Sequence, residues 1–519
     1  MSRVVVVGAG VGGLAAALDL ASRGYAVTVC EKEAAVGGKM RRLAPAGRPI
    51  DAGPTVLTMR PVFEALFRAS GARLDDYVTL ERASLLARHA WLDGSRLDLH
   101  HDVDANCEAI RAFAGPKDAE GYRAFVAYAR RIHENVDDVF IHAPRPTAWR
   151  VIKKLGLGVV PRLMKIDARR TMWQALGDFF PDARLRQLFA RYATYAGNSP
   201  FFAPATFNLI AWVEQQGVWR VEGGMGALAA AIAWRVDELG GEIRCGAAVE
   251  RVVVERGRAA GVELVGGERI DADAVVFNGD SNALAAGWLG EAVTRAVPAT
   301  APVDRSLSAL TWCVDAPTAG FGLVHHNVFF SDAYADEFDD IFDRGRLPVT
   351  PTVYVCAQDR GDDDGVIDGP ERLLVLVNAP AVGDAVGAEQ IGAEEIERCE
   401  RTTFDLLARC GLTLSPDPAI RTSPADWARL FPATGGAIYG PSARAWNATL
   451  KRPGSTTAVA GLYLAGGSVH PGAGVPMCAT SGRMAAEQIA ADLPSTRRSR
   501  SAATPGGTST RSATTADMR

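Results

Sequence analysis

The residues best suited to chemistry lie at the start of the chain, in Gly8-Ala9-Gly10-Val11-Gly12-Gly13. A G-x-G-x-x-G run alone says little; its flanks give it meaning. Here it follows the β-branched run Arg3-Val4-Val5-Val6-Val7 and opens an Ala/Leu-rich stretch ending at Gly24. Ala26-Val27-Thr28-Val29-Cys30 comes next, closed by an acid, Glu31, 18 residues after Gly13. Strand, glycine turn, helix, strand and acid form the context in which such a loop holds an adenine dinucleotide. Gly8 permits the tight turn, Gly10 lets the backbone approach a pyrophosphate, Gly13 lets the helix sit close to the strand, and Gly12 is counted with them in the cofactor site. The helix start offers free N–H groups and the positive end of its dipole. Glu31 would accept the adenosine ribose hydroxyls and repel a 2′-phosphate, which disfavours NADP.

The elements that position this loop form one β-α-β unit over the first 31 residues. Residues from about 62 to 215 read as mixed and mostly helical. A helix is expected over 225–239, strands at 242–245, 249–254, 260–265 and 274–277, and strand-like runs with one long helix near 389–410 in 305–430. The last unit is a strand at 462–465, a Gly-rich loop and a helix to about 492. After Pro494 the chain is Ser, Thr, Ala, Gly and Arg, with five arginines and one aspartate, a net of +4. This reads as a disordered tail. The expected fold class is α/β, a Rossmann-like dinucleotide domain from 1–60, 215–295 and 440–493, with an α+β second domain from 61–214 and 296–439.

Bulk properties exclude several functions. Lys and Arg total 56 against 60 Asp and Glu, so no basic domain points to nucleic acid. Eight scattered cysteines with no C-x-x-C fit reduced thiols rather than a metal site or disulfides. A strand at residue 3 leaves no room for a signal peptide, and no stretch of about 18 apolar residues suggests a membrane span. The expectation is a cytoplasmic protein, peripheral on the inner membrane face. No Ser-His-Asp arrangement appears, and no residue is assigned as catalytic.

Beyond Glu31, the chain resembles the flavin-dependent amine oxidase and phytoene desaturase superfamily. The resemblance rests on Ala35-Val36-Gly37-Gly38-Lys39-Met40, Ile50-Asp51-Ala52-Gly53-Pro54, Glu222-Gly223-Gly224-Met225-Gly226, and Gly461-Leu462-Tyr463-Leu464-Ala465-Gly466-Gly467-Ser468 with His470-Pro471-Gly472-Ala473-Gly474-Val475-Pro476. It covers roughly residues 3–493 and implies FAD. By the same resemblance Lys32, Gly38 and Lys39 lie along the dinucleotide, Val249 meets the adenine through its backbone, and Gly466, Gly467 and Pro476 approach the flavin and its phosphates.

Within that superfamily the chain is most similar to the bacterial carotenoid desaturases. The His470-Pro471-Gly472 loop carries this, as does the apolar, aromatic run Phe189–Trp212, which resembles a polyene-binding wall. Residues 145–170, where eight basic side chains interleave with apolar ones against the single acid Asp167, suit a lipid interface. Val324-His325-His326-Asn327-Val328-Phe329-Phe330 and Glu337–Phe342 look like the desaturases that act on 1-hydroxylated carotenoids and make a 3,4 double bond. That implies a buried hydroxyl recogniser, for which His325, His326 and Asn327 are candidates. Hydride would pass to the flavin, and a quinone or oxygen would reoxidise it. The alternatives are phytoene desaturation, a redox-neutral isomerase, or a lipid-carrying protein of the same fold.

Overall fold

The computed structural model describes residues 1–137, 141, 165–363, 365, 367–387, 390–442 and 451–493. β1 (Arg3–Val7) lies at the centre of a five-stranded parallel sheet. β2 (Ala26–Cys30) pairs on one side with Glu242–Arg244 beyond it; Ala274–Phe277 pairs on the other with Leu462–Leu464 beyond it. The valines of β1 are buried on both faces, as continuous apolar runs in parallel sheets are. α1 (Val11–Ser22) covers one face and packs on the helix Val475–Asp492. A Cβ on Gly482 would lie 2.1 Å from the Gly12 carbonyl oxygen, so these two helices meet backbone to backbone. An antiparallel sheet of Val249–Glu255, Arg258–Leu264 and Arg269–Asp271 covers the other face.

A second, seven-stranded sheet runs in the order Ala419–Thr422, Ser308–Ala316, Glu371–Ala379, Val353–Ala357, His326–Phe330, Leu85–Trp91, Arg96–His100. Its only parallel pair is His326–Phe330 with Leu85–Trp91. The helix Ala393–Arg409 closes one face. The opposite face, carrying Cys356 and Leu374, packs on Ile50 and Ala52 of the dinucleotide half, so the two sheets meet across a cleft.

The described part of 62–215 is mixed and mostly helical, as expected, and within it Leu85–Trp91 and Arg96–His100 form a hairpin that joins this sheet. A short apolar run cannot be told from a helix segment by periodicity; the Asp93-Gly94 pair between the strands is the signal that distinguishes it. The tail 494–519 and residues 145–164 of the basic stretch lie outside the described residues.

Candidate active site

The glycine loop leaves β1 at its C-terminal end. Gly8 takes φ +99°, open to glycine at little cost, and its N–H reaches the Cys30 carbonyl at 2.8 Å. A Cβ on Gly13 would fall 2.1 Å from the Gly8 carbonyl oxygen, one on Gly12 2.6 Å from Asn278 Oδ1, and one on Gly10 2.8 Å from Asn278 Nδ2. No side chain caps α1 and its first turn holds no acid, so its free N–H groups and dipole end suit a phosphate. A cradle that a single Cβ would fill, at an uncapped helix start, fits a dinucleotide pyrophosphate.

Glu31 is 5% exposed, and its carboxylate accepts the N–H of Ala9 at 2.7 Å and that of Glu33 at 2.9 Å. These bonds lock the carboxylate beside the loop and leave further lone pairs for ribose hydroxyls. Backbone bonds from Glu31 to Arg244, Ala247 to Glu31 and Gly246 to Glu33 draw the strand that starts at Val249 to the same corner. Gly38 lies against Gly10, where its Cβ would be 3.1 Å from the Gly10 Cα. Lys39 donates to the Ile438 carbonyl at 2.7 Å and sits over the Phe431 ring; burial lowers its pKa while Asp280 opposes this. Gly466 abuts Asn278, Gly467 abuts Cys478, and Pro476 lies in the first turn of Val475–Asp492. Lys32 is exposed and reaches instead to the Leu430 carbonyl at 2.6 Å.

Several residues at this site were not singled out from the sequence. Asn278 sits at the point where the strand order reverses between β1 and Ala274–Phe277, and donates to the Gly8 carbonyl at 3.3 Å. The break Asn278-Gly279-Asp280 after an apolar strand is the signal that marks it. Arg452 is buried and donates to the carbonyls of Gly467, Tyr439 and Pro441 at 2.6, 3.1 and 2.6 Å. Burial pulls its pKa to about 10, with Asp280 acting against the fall. It ties the segment 439–441 to the Gly-rich loop.

On the second sheet, His326, Cys356 and Tyr354 share the face that looks at the dinucleotide half, since His326 is paired directly with Cys356 and Tyr354 lies two residues on. The Tyr354 hydroxyl lies 2.7 Å from both His326 Nδ1 and Thr55 Oγ1, and Thr55 follows the Gly53-Pro54 turn. His325 precedes the strand; its Nδ1 is 2.9 Å from the Arg360 carbonyl and its Nε2 3.6 Å from Cys356 Sγ. Asn327 points to the other face, where its amide is used by Val324 and Val355. Its side chain is a strand lock and does not reach the cleft.

The spacing reading of no metal set also misses a grouping made by the fold, since ligand atoms of His325, His326 and Cys356 lie within 4.8 Å of one another. Burial pushes the Cys356 thiol up to about 12, so it holds its proton. His325 and Cys356 also line a polar cavity of about 630 Å³ between the two halves, together with Arg42, Asp51 and Thr55.

Residues 11–307 match the family model for flavin containing amine oxidoreductases. The chain is similar over nearly its whole length to the hydroxyneurosporene desaturase of Rubrivivax gelatinosus, at 51% identity over 99% of this chain and 98% of that protein. It is 47% identical to the hydroxyneurosporene desaturase of Cereibacter sphaeroides over 96% of this chain and 99% of that protein. Among solved structures, an oxidoreductase from Methanosarcina mazei shares the fold, with TM-score 0.60, 16% identity, and 93% and 100% of the two chains covered.

Proposed function

Because the chain belongs to the family of flavin containing amine oxidoreductases and is an FAD-dependent carotenoid desaturase within it, we propose that its reaction introduces the C-3,4 double bond of a 1-hydroxylated acyclic carotenoid. The observation that carries this reading is the uncapped glycine cradle beside Glu31, in a chain 51% identical along its length to a hydroxyneurosporene desaturase. FAD, when bound, supplies the hydride acceptor. Gly8, Gly10, Gly12, Gly13 and Glu31 would hold its adenosine diphosphate part, and Gly38, Lys39, Gly466, Gly467 and Pro476 the part nearer the flavin.

The second half of the reaction is loss of a proton from the neighbouring carbon, and this falls to the chain's own residues. Burial, which makes a charged ring costly, pushes the His326 pKa well below its usual value, so the ring is neutral at working pH. With Tyr354 holding Nδ1, Nε2 takes the proton and the C–H electron pair closes the double bond. A C–H beside a polyene cation is strongly acidic, so a weak base suffices. Cys356 and His325 connect this dyad to the polar cavity and the solvent. His326→Gln is expected to lower turnover about 10²-fold, with carotenoid binding and flavin content unchanged; wild-type turnover would remove His326 from the mechanism.

No described helix is long and apolar enough to cross a membrane. Substrate dissolved in lipid calls for surface contact, and we assign that contact to the basic, apolar stretch 145–170. Changing Arg150, Lys153, Lys154 and Arg162 to Glu should abolish co-sedimentation with anionic liposomes; undiminished co-sedimentation would move the contact elsewhere.

The test of the reaction is to incubate yellow, purified protein with a 1-hydroxylated acyclic carotenoid and with its unhydroxylated parent, under quinone or oxygen, and to separate the products by chromatography. A product with one more double bond, formed from the hydroxylated substrate, is expected. An unchanged number of double bonds would mean an isomerase, and preference for phytoene would mean an earlier desaturation.

A further inference from the structure

The apolar run Phe189–Trp212 contains one charged residue, Arg191. Its guanidinium lies 5.0 Å from the Tyr195 ring centroid and donates to the Tyr195 hydroxyl at 3.0 Å. Tyr195 donates onward to Glu214 Oε1 at 3.1 Å, and Tyr192 donates to Glu214 Oε2. Glu214, from the helix Leu209–Gln215, is 6% exposed, and both its oxygens receive a phenol. Arg191 has no carboxylate of the described residues within ion-pair reach and uses one of its five donors. Arg191 is not fully buried, which leaves its other donors open to a further partner. The segment reaches the cleft: a Cβ on Gly197, two residues after Tyr195, would lie 2.8 Å from Tyr439, next to the Ile438 that holds Lys39.

A polar network in a hydrocarbon wall is costly unless something meets its donors. We propose that Arg191 and Tyr195 form the site that takes the tertiary hydroxyl of the substrate, with Glu214 and Tyr192 holding them in position. This rests on the 1-hydroxylated substrate proposed above. The alcohol oxygen accepts from the guanidinium, and its hydrogen goes to the free lone pair of the Tyr195 oxygen. The hydroxyl is carried at C-1, a few bonds from C-3 and C-4, so its reader must stand close to the reacting carbons. A carotene without the hydroxyl would leave the guanidinium desolvated and unpaired, which is how a buried polar site rejects an analogue.

The test titrates the holoprotein with a 1-hydroxylated acyclic carotenoid and with its unhydroxylated parent, reading the shift of the carotenoid absorption band. Wild type should prefer the hydroxylated compound by about 10- to 100-fold, the range for a hydrogen bond to a charged donor. Arg191→Leu and Tyr195→Phe should each bring the preference to within about twofold by weakening binding of the hydroxylated compound alone. Tyr195→Phe keeps the ring and its packing, and flavin content with a melting curve checks both proteins. A preference kept in both variants, or absent from wild type, overturns the proposal. A preference in wild type that both variants lose, without formation of a 3,4 double bond, upholds this site and overturns the reaction assigned above.

Discussion

Glu31→Arg is expected to purify colourless, with a wild-type circular dichroism spectrum and FAD affinity lowered by about 10³-fold or more, the size of two lost hydrogen bonds to a charged group. The carboxylate does two things in the same place. It accepts the Ala9 and Glu33 N–H groups, which holds the loop open, and it keeps lone pairs for the ribose. An arginine can accept from neither and places a cation beside the positive end of α1. Gly13→Ala tests the other element of the cradle, since the new Cβ would meet the Gly8 carbonyl oxygen at 2.1 Å and only movement of α1 off the sheet could relieve it. Both variants should lose flavin, and Gly13→Ala should lose more stability than Glu31→Arg, which orphans two N–H groups but moves no helix. Flavin absorbance per mole of protein and titration of the stripped protein with FAD read the first loss, and a melting curve the second. Full occupancy in Glu31→Arg would displace the dinucleotide from this corner.

Acid should weaken the fold well before the carboxylates as a class are protonated. Burial lowers the pKa of His325 to about 4 and of His89 to about 3, and takes that of His326 well below its usual value. Unfolded, each imidazole titrates near the ordinary 6.5, so below that pH the unfolded chain binds protons that the folded chain refuses. The stability these neutral rings contribute is therefore complete above about pH 6.5 and is lost progressively down through their folded values. Glu337, pushed up to about 6 by burial, acts in the opposite sense over part of the window. Burial raises the carboxyls of Asp51, Glu214 and Asp280 in the same sense as Glu337, and against them the three histidines should still lower the melting temperature from pH 7 to pH 5. His89→Gln removes one of the three histidines and should flatten the profile by about a third; an unchanged slope would show that these histidines do not control it.

The two histidine positions illustrate how far local pattern reaches. His325-His326-Asn327 stands out as a polar break in an apolar run; His325 lines the cavity between the halves, and of the two residues on the strand one faces the cleft. Which one depends on the register of His326–Phe330 against Val353–Ala357, and a shift of one residue would exchange His326 for Asn327. The wall Phe189–Trp212 reads correctly as apolar, yet the significance of Arg191 appears only when Glu214 and two phenols gather around it. Asn278 likewise is unremarkable until parallel pairing of Val7 with Phe277 sets it beside a loop 270 positions earlier.

The sequence by itself determined the glycine loop, the acid that closes β2 and the Gly-Gly turns, because each is a contiguous segment whose backbone needs are met by its own residues: positive φ at Gly8, no Cβ at Gly13, a helix start without a cap. Tertiary structure alone decided the pairing of the hairpin 85–100 with His326–Phe330, the His326–Tyr354–Thr55 contact, the Arg452 clamp and the Arg191 network. These join segments tens to hundreds of residues apart. Their geometry is set by sheet register and by the packing of two halves across a cleft, quantities that no local window of residues contains.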